Sequence, residues 1–147
     1  MRSRAADQPT EFDEVTQLVR SICGALPETN EVEAWVGLRW EVRKKNFVQV
    51  VDIQNGRPPV FAREAGSDGP LCVLTLRCPI DEVESYRNHD HPYFVPSWFA
   101  NLIGVRIDNR TDWDELGEMI LDSYRVCAPK RLAQKFDPAG GGQSTRI

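Results

Sequence analysis

The first part of the chain carries apolar residues at the spacing of an amphipathic helix. Between Phe12 and Leu26 they recur at steps of three and four residues and therefore share one face: Phe12, Val15, Leu18, Val19, Ile22, Cys23 and Leu26. Thr10 or Asp13 can cap the start, and Pro27 ends the pattern. The sequence predicts a helix that begins near Thr10.

The middle of the chain changes to the two-residue period of β-strands. Strand-like segments are residues 32–38, 38–42, 46–53 and 71–78, with a turn at 44–46 and a short edge strand at 60–63. The clearest strand is LCVLTLRC, in which one face carries Cys72, Leu74, Leu76 and Cys78. We expect that face in the core, with both cysteines acting as small buried apolar residues.

The second half is predicted to contain two further helices and one strand. Pro79 suits the first turn of a helix whose inner side carries Ile80, Val83 and Tyr86 or Arg87. Residues 88–101 are irregular, and 102–108 form a strand. A last helix, capped by Thr111 or Asp112, has an apolar stripe of Trp113, Leu116, Ile120, Tyr124 and Cys127.

This order of elements indicates the α+β class. We expect a single-domain, two-layer α/β plait over residues 10–137, with a mainly antiparallel sheet and helices packed on one face. Residues 1–9 are expected to be a flexible leader, and the Gly-rich residues 138–147 a disordered tail.

Composition narrows the classes of function. The net charge is −4 and the sequence pI about 5.2, so a nucleic-acid role requires basic residues gathered on one face. The four cysteines form no C-x-x-C pair, and no apolar run is long enough to span a bilayer. We therefore expect a cytoplasmic protein with free thiols and no membrane association.

Two basic clusters are candidate phosphate contacts. The first is Arg39, Arg43, Lys44 and Lys45 at the expected hairpin tip, with Arg39 and Arg43 on one strand face. A charged turn that protects an exposed strand pair explains it as well. The second cluster contains Arg125, Lys130, Arg131 and Lys135, and it equally fits bases placed at the negative end of a helix dipole.

The aromatic residues suggest a second surface. Trp98 and Phe99 follow Pro96 in the irregular segment, and we expect them to be exposed for a protein partner or small ligand. For Trp35 and Trp40 a core position is the better interpretation.

No catalytic constellation is evident. His89, Asp90 and His91 could hold a divalent ion, although two exposed histidines in a loop are the plainer account. Ser123 precedes Tyr124, which falls on the apolar stripe, so the pair is better explained by packing than by nucleophilic chemistry. Since no nucleophile elbow, phosphate loop or dinucleotide fingerprint occurs, we expect a non-enzymatic protein with no cofactor and no metal.

The chain resembles the MmcQ/YjbR family over about Phe12 to Phe136. The resemblance is carried by VEAWVGLRWEVRKKNFVQV, by HPYFVP, and by IGVRID followed by DWDELGEMILDSYRVCAPKRL. It implies a compact fold similar to frataxin-like (CyaY-like) plaits and a family often labelled DNA-binding. It does not imply a settled biochemical function.

The chain departs from the family pattern where the last strand begins. Relatives usually carry a basic residue or Gly followed by Trp, and here Asn101 and Leu102 stand at those positions. A ligand contact made by that Trp in relatives would be lost or altered, unless the nearby Trp98 replaces it.

Two hypotheses follow. In the first, the domain binds DNA through phosphate contacts from the hairpin bases, together with Lys130 and Arg131. In the second, it is a protein-interaction or small-ligand module that uses the Trp98–Phe99 loop and the sheet face. Either is compatible with a monomer or a weak dimer.

Overall fold

Six antiparallel strands form one open sheet, in the order β1-β2-β3-β4-β6-β5. The computed structural model describes residues 9–87 and 91–136. Along the chain the elements are α1 (Phe12–Gly24), β1 (Thr29–Glu33), β2 (Leu38–Val42), β3 (Lys45–Ile53), α2 (Pro59–Ala65), β4 (Leu71–Arg77), a 3-10 turn (Ile80–Glu82), α3 (Val83–Arg87), β5 (Tyr93–Phe94), β6 (Leu102–Ile107), α4 (Trp113–Cys127) and α5 (Lys130–Phe136). The α+β class with a mainly antiparallel sheet is confirmed.

The main core lies between the sheet and the long helices α1 and α4. Alternate residues of the central strands face it, including the predicted set on β4, and the two helices contribute their apolar stripes: Val15, Val19, Cys23, Leu116, Ile120 and Tyr124. The Tyr124 ring meets Phe47 edge-on at 5.4 Å, and its hydroxyl donates to the Pro27 carbonyl at 2.7 Å. That hydrogen bond joins α4 to the end of α1.

A smaller core covers part of the opposite face. Phe61, Ala62 and Ala65 of α2 pack with Val51, Ile53 and Val73 of the sheet. The prediction of an edge strand at residues 60–63 is wrong. The Pro58–Pro59 pair starts a helix instead, and the buried positions at steps of one and four residues have helical spacing.

The first hairpin differs from the predicted one at both of its loops. The strand expected over residues 32–38 ends at Glu33, because the chain turns through Gly37 with a φ of 73°. A Cβ at Gly37 would lie 2.0 Å from the Val50 carbonyl oxygen, so only glycine fits there. Trp35 consequently projects from the loop with 99% of its surface exposed, and its expected core position is wrong; Trp40 is buried, as predicted.

The β2–β3 turn falls one residue earlier than expected. Its two central residues are Arg43 and Lys44, with left-handed φ values of 50° and 68°. Type I′ two-residue hairpin loops have a positive φ at both central residues, but Asn-Gly is their usual signal, which the sequence lacks here. Arg43 therefore lies outside the strand, and the prediction that it shares a strand face with Arg39 is wrong.

The structure confirms or corrects the predicted starts of three helical segments. Glu11, not Thr10 or Asp13, precedes the first turn of α1, and its N–H donates to the Glu14 carboxylate. Asp112 caps α4 as predicted, accepting from two backbone N–H groups. Ile80 is exposed rather than on the inner side, because Pro79 leads into a 3-10 turn before α3 starts.

Strand β5 is the element that the sequence did not predict. It has two residues, Tyr93 and Phe94, and the Phe94 ring lies directly over Gly104 of β6. The Arg106 side chain of β6 joins β5 to α2 by donating to the carbonyls of Ala65 and Tyr93. Such a short strand has no periodicity to detect.

Ser123 ties α4 to the ends of two central strands. Its fully buried hydroxyl accepts from the Arg77 N–H of β4 at 2.8 Å and donates to the Phe47 carbonyl of β3. Because the hydroxyl is fully buried and satisfies both backbone groups, it fixes the position of these strand ends.

We predict that Ser123→Ala lowers the free energy of unfolding by about 1–3 kcal/mol, because it leaves a buried N–H and a buried carbonyl unpaired. Urea denaturation monitored by circular dichroism measures the loss. Ser85→Ala is the matched control, since the Ser85 hydroxyl bonds the Glu82 carbonyl at the surface and its loss should change stability by at most about 0.5 kcal/mol. Equal effects of the two substitutions would contradict the role given to Ser123.

Candidate nucleic-acid interface

A basic depression lies at the end of the sheet where β2 and β4 end and β3 and β6 begin. It has a volume of about 460 Å³ and is lined by Arg39, Glu41, Lys44, Lys45, Asn46, Arg77, Asn101, Val126 and Cys127. We call this set the basic depression. Four basic side chains face a single acidic one, so the site is positive although the whole chain carries a charge of −4.

Arg77 is the fixed element of the basic depression. Its Nε donates to the Asn46 carbonyl at 3.1 Å, and its Nη1 donates to the Asn101 Oδ1 at 3.0 Å. The backbone N–H of the same residue is the one held by Ser123. The guanidinium is thus held in place before any ligand arrives, which lowers the entropic cost of binding.

The sequence placed Arg77 on a strand face but did not identify it as a binding residue. A lone Arg at the end of an apolar strand carries no motif, and its neighbours Asn46 and Asn101 are distant in sequence. Asn101 occupies one of the two positions at which the chain departs from the family pattern, and it is here a direct partner of Arg77.

Two further groups of the basic depression have unused hydrogen-bonding capacity. The Arg39 Nε lies 2.9 Å from the Glu41 Oε2, but the angles give no aligned hydrogen bond, so we regard the contact as an ion pair alone. The buried Asn46 Oδ1 has no hydrogen-bond partner within residues 9–87 and 91–136. Both atoms are buried, so they are unsatisfied groups beneath the surface of the basic depression.

The basic residues of the hairpin differ in whether they form an ion pair. Arg43 forms an ion pair with Glu28 at 2.6 Å, and the hydrogen bond to that carboxylate raises the pKa of Arg43. Lys44 and Lys45 are exposed and form no ion pair with any part of the chain that the structure describes. Within the described chain, the two lysines, rather than Arg43, are therefore the hairpin residues whose charge is not used in an ion pair.

In the second basic cluster, Arg125 lines a neighbouring pocket together with Arg77, while Lys130 and Arg131 line neither that pocket nor the basic depression. Arg125 forms an ion pair with Asp122 at 2.8 Å, while Lys130 and Arg131 are exposed on α5. None of these three side chains lines the basic depression. The Lys135 side chain lies outside what the structure describes.

The Trp98–Phe99 loop borders the basic depression. The two side chains are 40% and 52% exposed, which confirms the prediction of an exposed pair. Trp98 meets Phe61 of α2 edge-on at 5.1 Å, and Ser97 donates to Glu64, so the loop is tethered. The Phe99 ring centroid lies 4.2 Å from the Arg77 Cζ, a cation–π contact. The two surfaces predicted separately are therefore contiguous.

The histidine segment provides no recognisable metal centre among the described residues. His91 Nε2 lies 2.6 Å from an Asp108 carboxylate oxygen. His89 and Asp90 lie outside the described residues. Within 9–87 and 91–136, no group of three or more His, Cys, Asp or Glu side chains is placed to hold an ion. Over the same ranges, no helix has the length and apolar character needed to cross a membrane.

Comparison with known proteins gives the family. The sequence model of the YjbR family matches residues 24–126, from the end of α1 to the last turn of α4. The chain belongs to the YjbR family. That range includes Arg39, Lys44, Lys45, Arg77 and Phe99. No curated protein matches the chain.

Solved structures support the fold of this YjbR domain. A crystal structure of a protein from Pseudomonas syringae aligns with a TM-score of 0.59 at 16% identity, covering 76% of this chain and 97% of that one. The Deinococcus radiodurans protein DR2400, described with the domain name DUF419, aligns with a TM-score of 0.55 at 18% identity, covering 80% and 84%. At these identities the likeness extends to the fold alone.

All four cysteines are free and buried in this domain, as expected for Cys72 and Cys78. Burial raises the pKa of Cys23 and of Cys72 to about 12, and that of Cys78 to about 11. Burial likewise raises the pKa of Tyr124 to about 12. Thiolate chemistry at neutral pH is therefore suppressed at these cysteines.

These pKa values predict alkaline sensitivity. The folded protein keeps protons that the unfolded chain releases above about pH 9, so their stabilising contribution is complete below pH 9 and is lost as the pH approaches 12. We expect the urea midpoint to fall steadily from pH 8.5 to pH 11. At pH 8 a thiol reagent should label the native protein slowly. In denaturant the same reagent should label all four cysteines together. Rapid native labelling, or a midpoint independent of pH, would contradict this assignment.

Proposed function

We propose that this YjbR domain binds nucleic acid at the basic depression, with phosphates held by Lys44, Lys45, Arg39 and Arg77. The observation that carries the proposal is the convergence of four basic side chains on one concave site, next to a half-exposed aromatic ring. Lysine and arginine that neutralise phosphates provide most of the affinity in sequence-independent binding.

The geometry favours a single strand over a duplex. A site of about 460 Å³ accommodates a few phosphates, which is too few for the strong electrostatic binding of duplex-coating proteins. Phe99 provides an aromatic ring on which an unpaired base can stack, as in proteins that bind single strands. The guanidinium of Arg77 lies over that ring, and the 52% exposure of Phe99 leaves surface for a base.

The phosphate contacts are tested by fluorescence anisotropy with a labelled single-stranded 12-mer and the corresponding duplex. We expect single-strand affinity to fall about 20-fold between 50 and 200 mM salt, as about three phosphate contacts require. Lys44→Glu/Lys45→Glu should abolish most of this binding and make the log–log salt slope shallower by about 1.4.

The control is Lys130→Glu/Arg131→Glu, which changes the net charge equally but outside the basic depression. Retained affinity in this variant places the contacts at the hairpin. Equal losses in both variants would mean that only the overall charge matters, and binding that is absent at 50 mM salt would refute the proposal.

The stacking contact has its own test. We predict that Phe99→Ala weakens single-strand binding by about 5- to 100-fold, the range expected for the loss of one stacked base, and leaves duplex binding little changed. Arg77 keeps its bonds to Asn46 and Asn101 in this variant, so the charges stay in place. Trp98→Ala is the control aromatic, because Trp98 packs on Phe61. A Phe99→Ala variant that binds both DNA forms like the wild type would refute stacking.

The alternative is a protein-interaction or small-ligand module centred on the Trp98–Phe99 loop. Its support is the combined exposure of the two rings on a tethered loop. The anisotropy series separates the alternatives, since a phosphate-binding site loses affinity with salt and an apolar docking site does not.

A further inference from the structure

Trp35 is held outward on a rigid turn. Loop 34–37 joins β1 to β2, and it is closed by the Ala34 N–H donating to the Gly37 carbonyl at 3.1 Å. Gln49 of β3 donates to the Val36 carbonyl at 2.8 Å, which fixes the loop to the sheet. A side chain that buries about 150–250 Å² when covered is thus almost wholly exposed on a fixed support.

An apolar groove lies beside this side chain. It has a volume of about 780 Å³, and its apolar lining besides Trp35 includes Phe12, Val36, Leu38, Val51, Pro58 and Pro59. Strand β1 is the edge of the sheet, so no further strand of the described chain covers this side. We call Trp35 and this groove together the Trp35 patch.

We infer that the Trp35 patch is the contact of a two-fold dimer, in which Trp35 of each copy enters the groove of the other. A two-fold contact uses the same surface on both subunits, so one patch must hold both the protruding and the receiving element. The Trp35 patch holds both, because Trp35 lies on the wall of the groove that would receive its counterpart.

The charges around the groove are also self-complementary. Glu33 and Asp52 line it together with Arg57, and Arg57 makes no ion pair within residues 9–87 and 91–136. In a two-fold contact each Arg57 can face Glu33 of the second copy. A different protein would need its own acidic and basic groups at matching positions, whereas a second copy of the chain carries the same Glu33 and Arg57.

The dimer contact and the hairpin lysines lie at opposite ends of β2. Trp35 precedes β2 and Lys44 follows it, and the strand is about 17 Å long, although Arg39 of the basic depression directly follows Leu38 of the groove. The dimer is measured without nucleic acid, so its failure and the failure of the proposed function are distinguishable. Where both hold, one dimer presents two depressions to one strand.

The test is sedimentation equilibrium from 1 to 500 µM of the full chain. We expect the apparent mass to rise from that of a monomer towards that of a dimer within this range of concentrations. Trp35→Ala should weaken the dimer at least about tenfold, as is typical of a tryptophan at the centre of a contact. At protein concentrations where both are monomeric, its urea midpoint should match that of the wild type, because the Trp35 ring is exposed in the monomer.

Two controls make the assignment specific. Trp98→Ala removes another exposed tryptophan and should leave the dimer intact. Arg57→Glu alone and Glu33→Arg alone should each weaken association, and the double variant Glu33→Arg/Arg57→Glu should restore it, because the pair is exchanged in both copies. A wild type that stays monomeric at 500 µM, or a dimer that survives Trp35→Ala, would overturn the inference.

Discussion

The contact between α4 and the ends of the central strands is the interaction on which the rest of the structure depends. Ser123 joins the Phe47 carbonyl of β3 to the Arg77 N–H of β4, and Tyr124 bonds the Pro27 carbonyl after α1. One turn of one helix thereby fixes two strands and a second helix. Because both hydroxyls are buried, neither bond can be exchanged for water without a cost comparable to losing it.

This constraint also shapes the basic depression. Ser123 holds the backbone of Arg77, whose side chain then reaches Asn46, Asn101 and the Phe99 ring. The residue that organises the basic depression is therefore anchored to α4 through its backbone. The Ser-Tyr pair that could suggest a nucleophile in the sequence acts through packing and positioning instead, and it contributes to the site through the strand that it holds.

The sequence predicted the elements that carry a long periodic pattern. It failed where the geometry of a loop determines the position of a residue. The stripes of α1 and α4 and the core-facing set of β4 extend over seven or more residues, and each was predicted correctly, although the opposite face of β4 is buried as well. The errors at Trp35, Arg43 and residues 60–63 arise where Gly37, a left-handed turn and a pair of prolines override the local pattern. Arg77 was missed as a site residue because its partners come from β3 and from the loop before β6, an association that only the strand order creates.

The acidic charge of the chain bears on the form of nucleic acid that the proposed function would use. At physiological salt, charges more than about 8 Å apart are largely screened, so a phosphate in the depression would interact mainly with its four basic side chains and with Glu41. A duplex lying against the domain would also bring many phosphates near the acidic remainder, such as the carboxylates in the first turn of α4. A flexible single strand can enter the depression and turn away from those carboxylates. The net charge of −4 thus favours short, local contacts over the coating of a duplex.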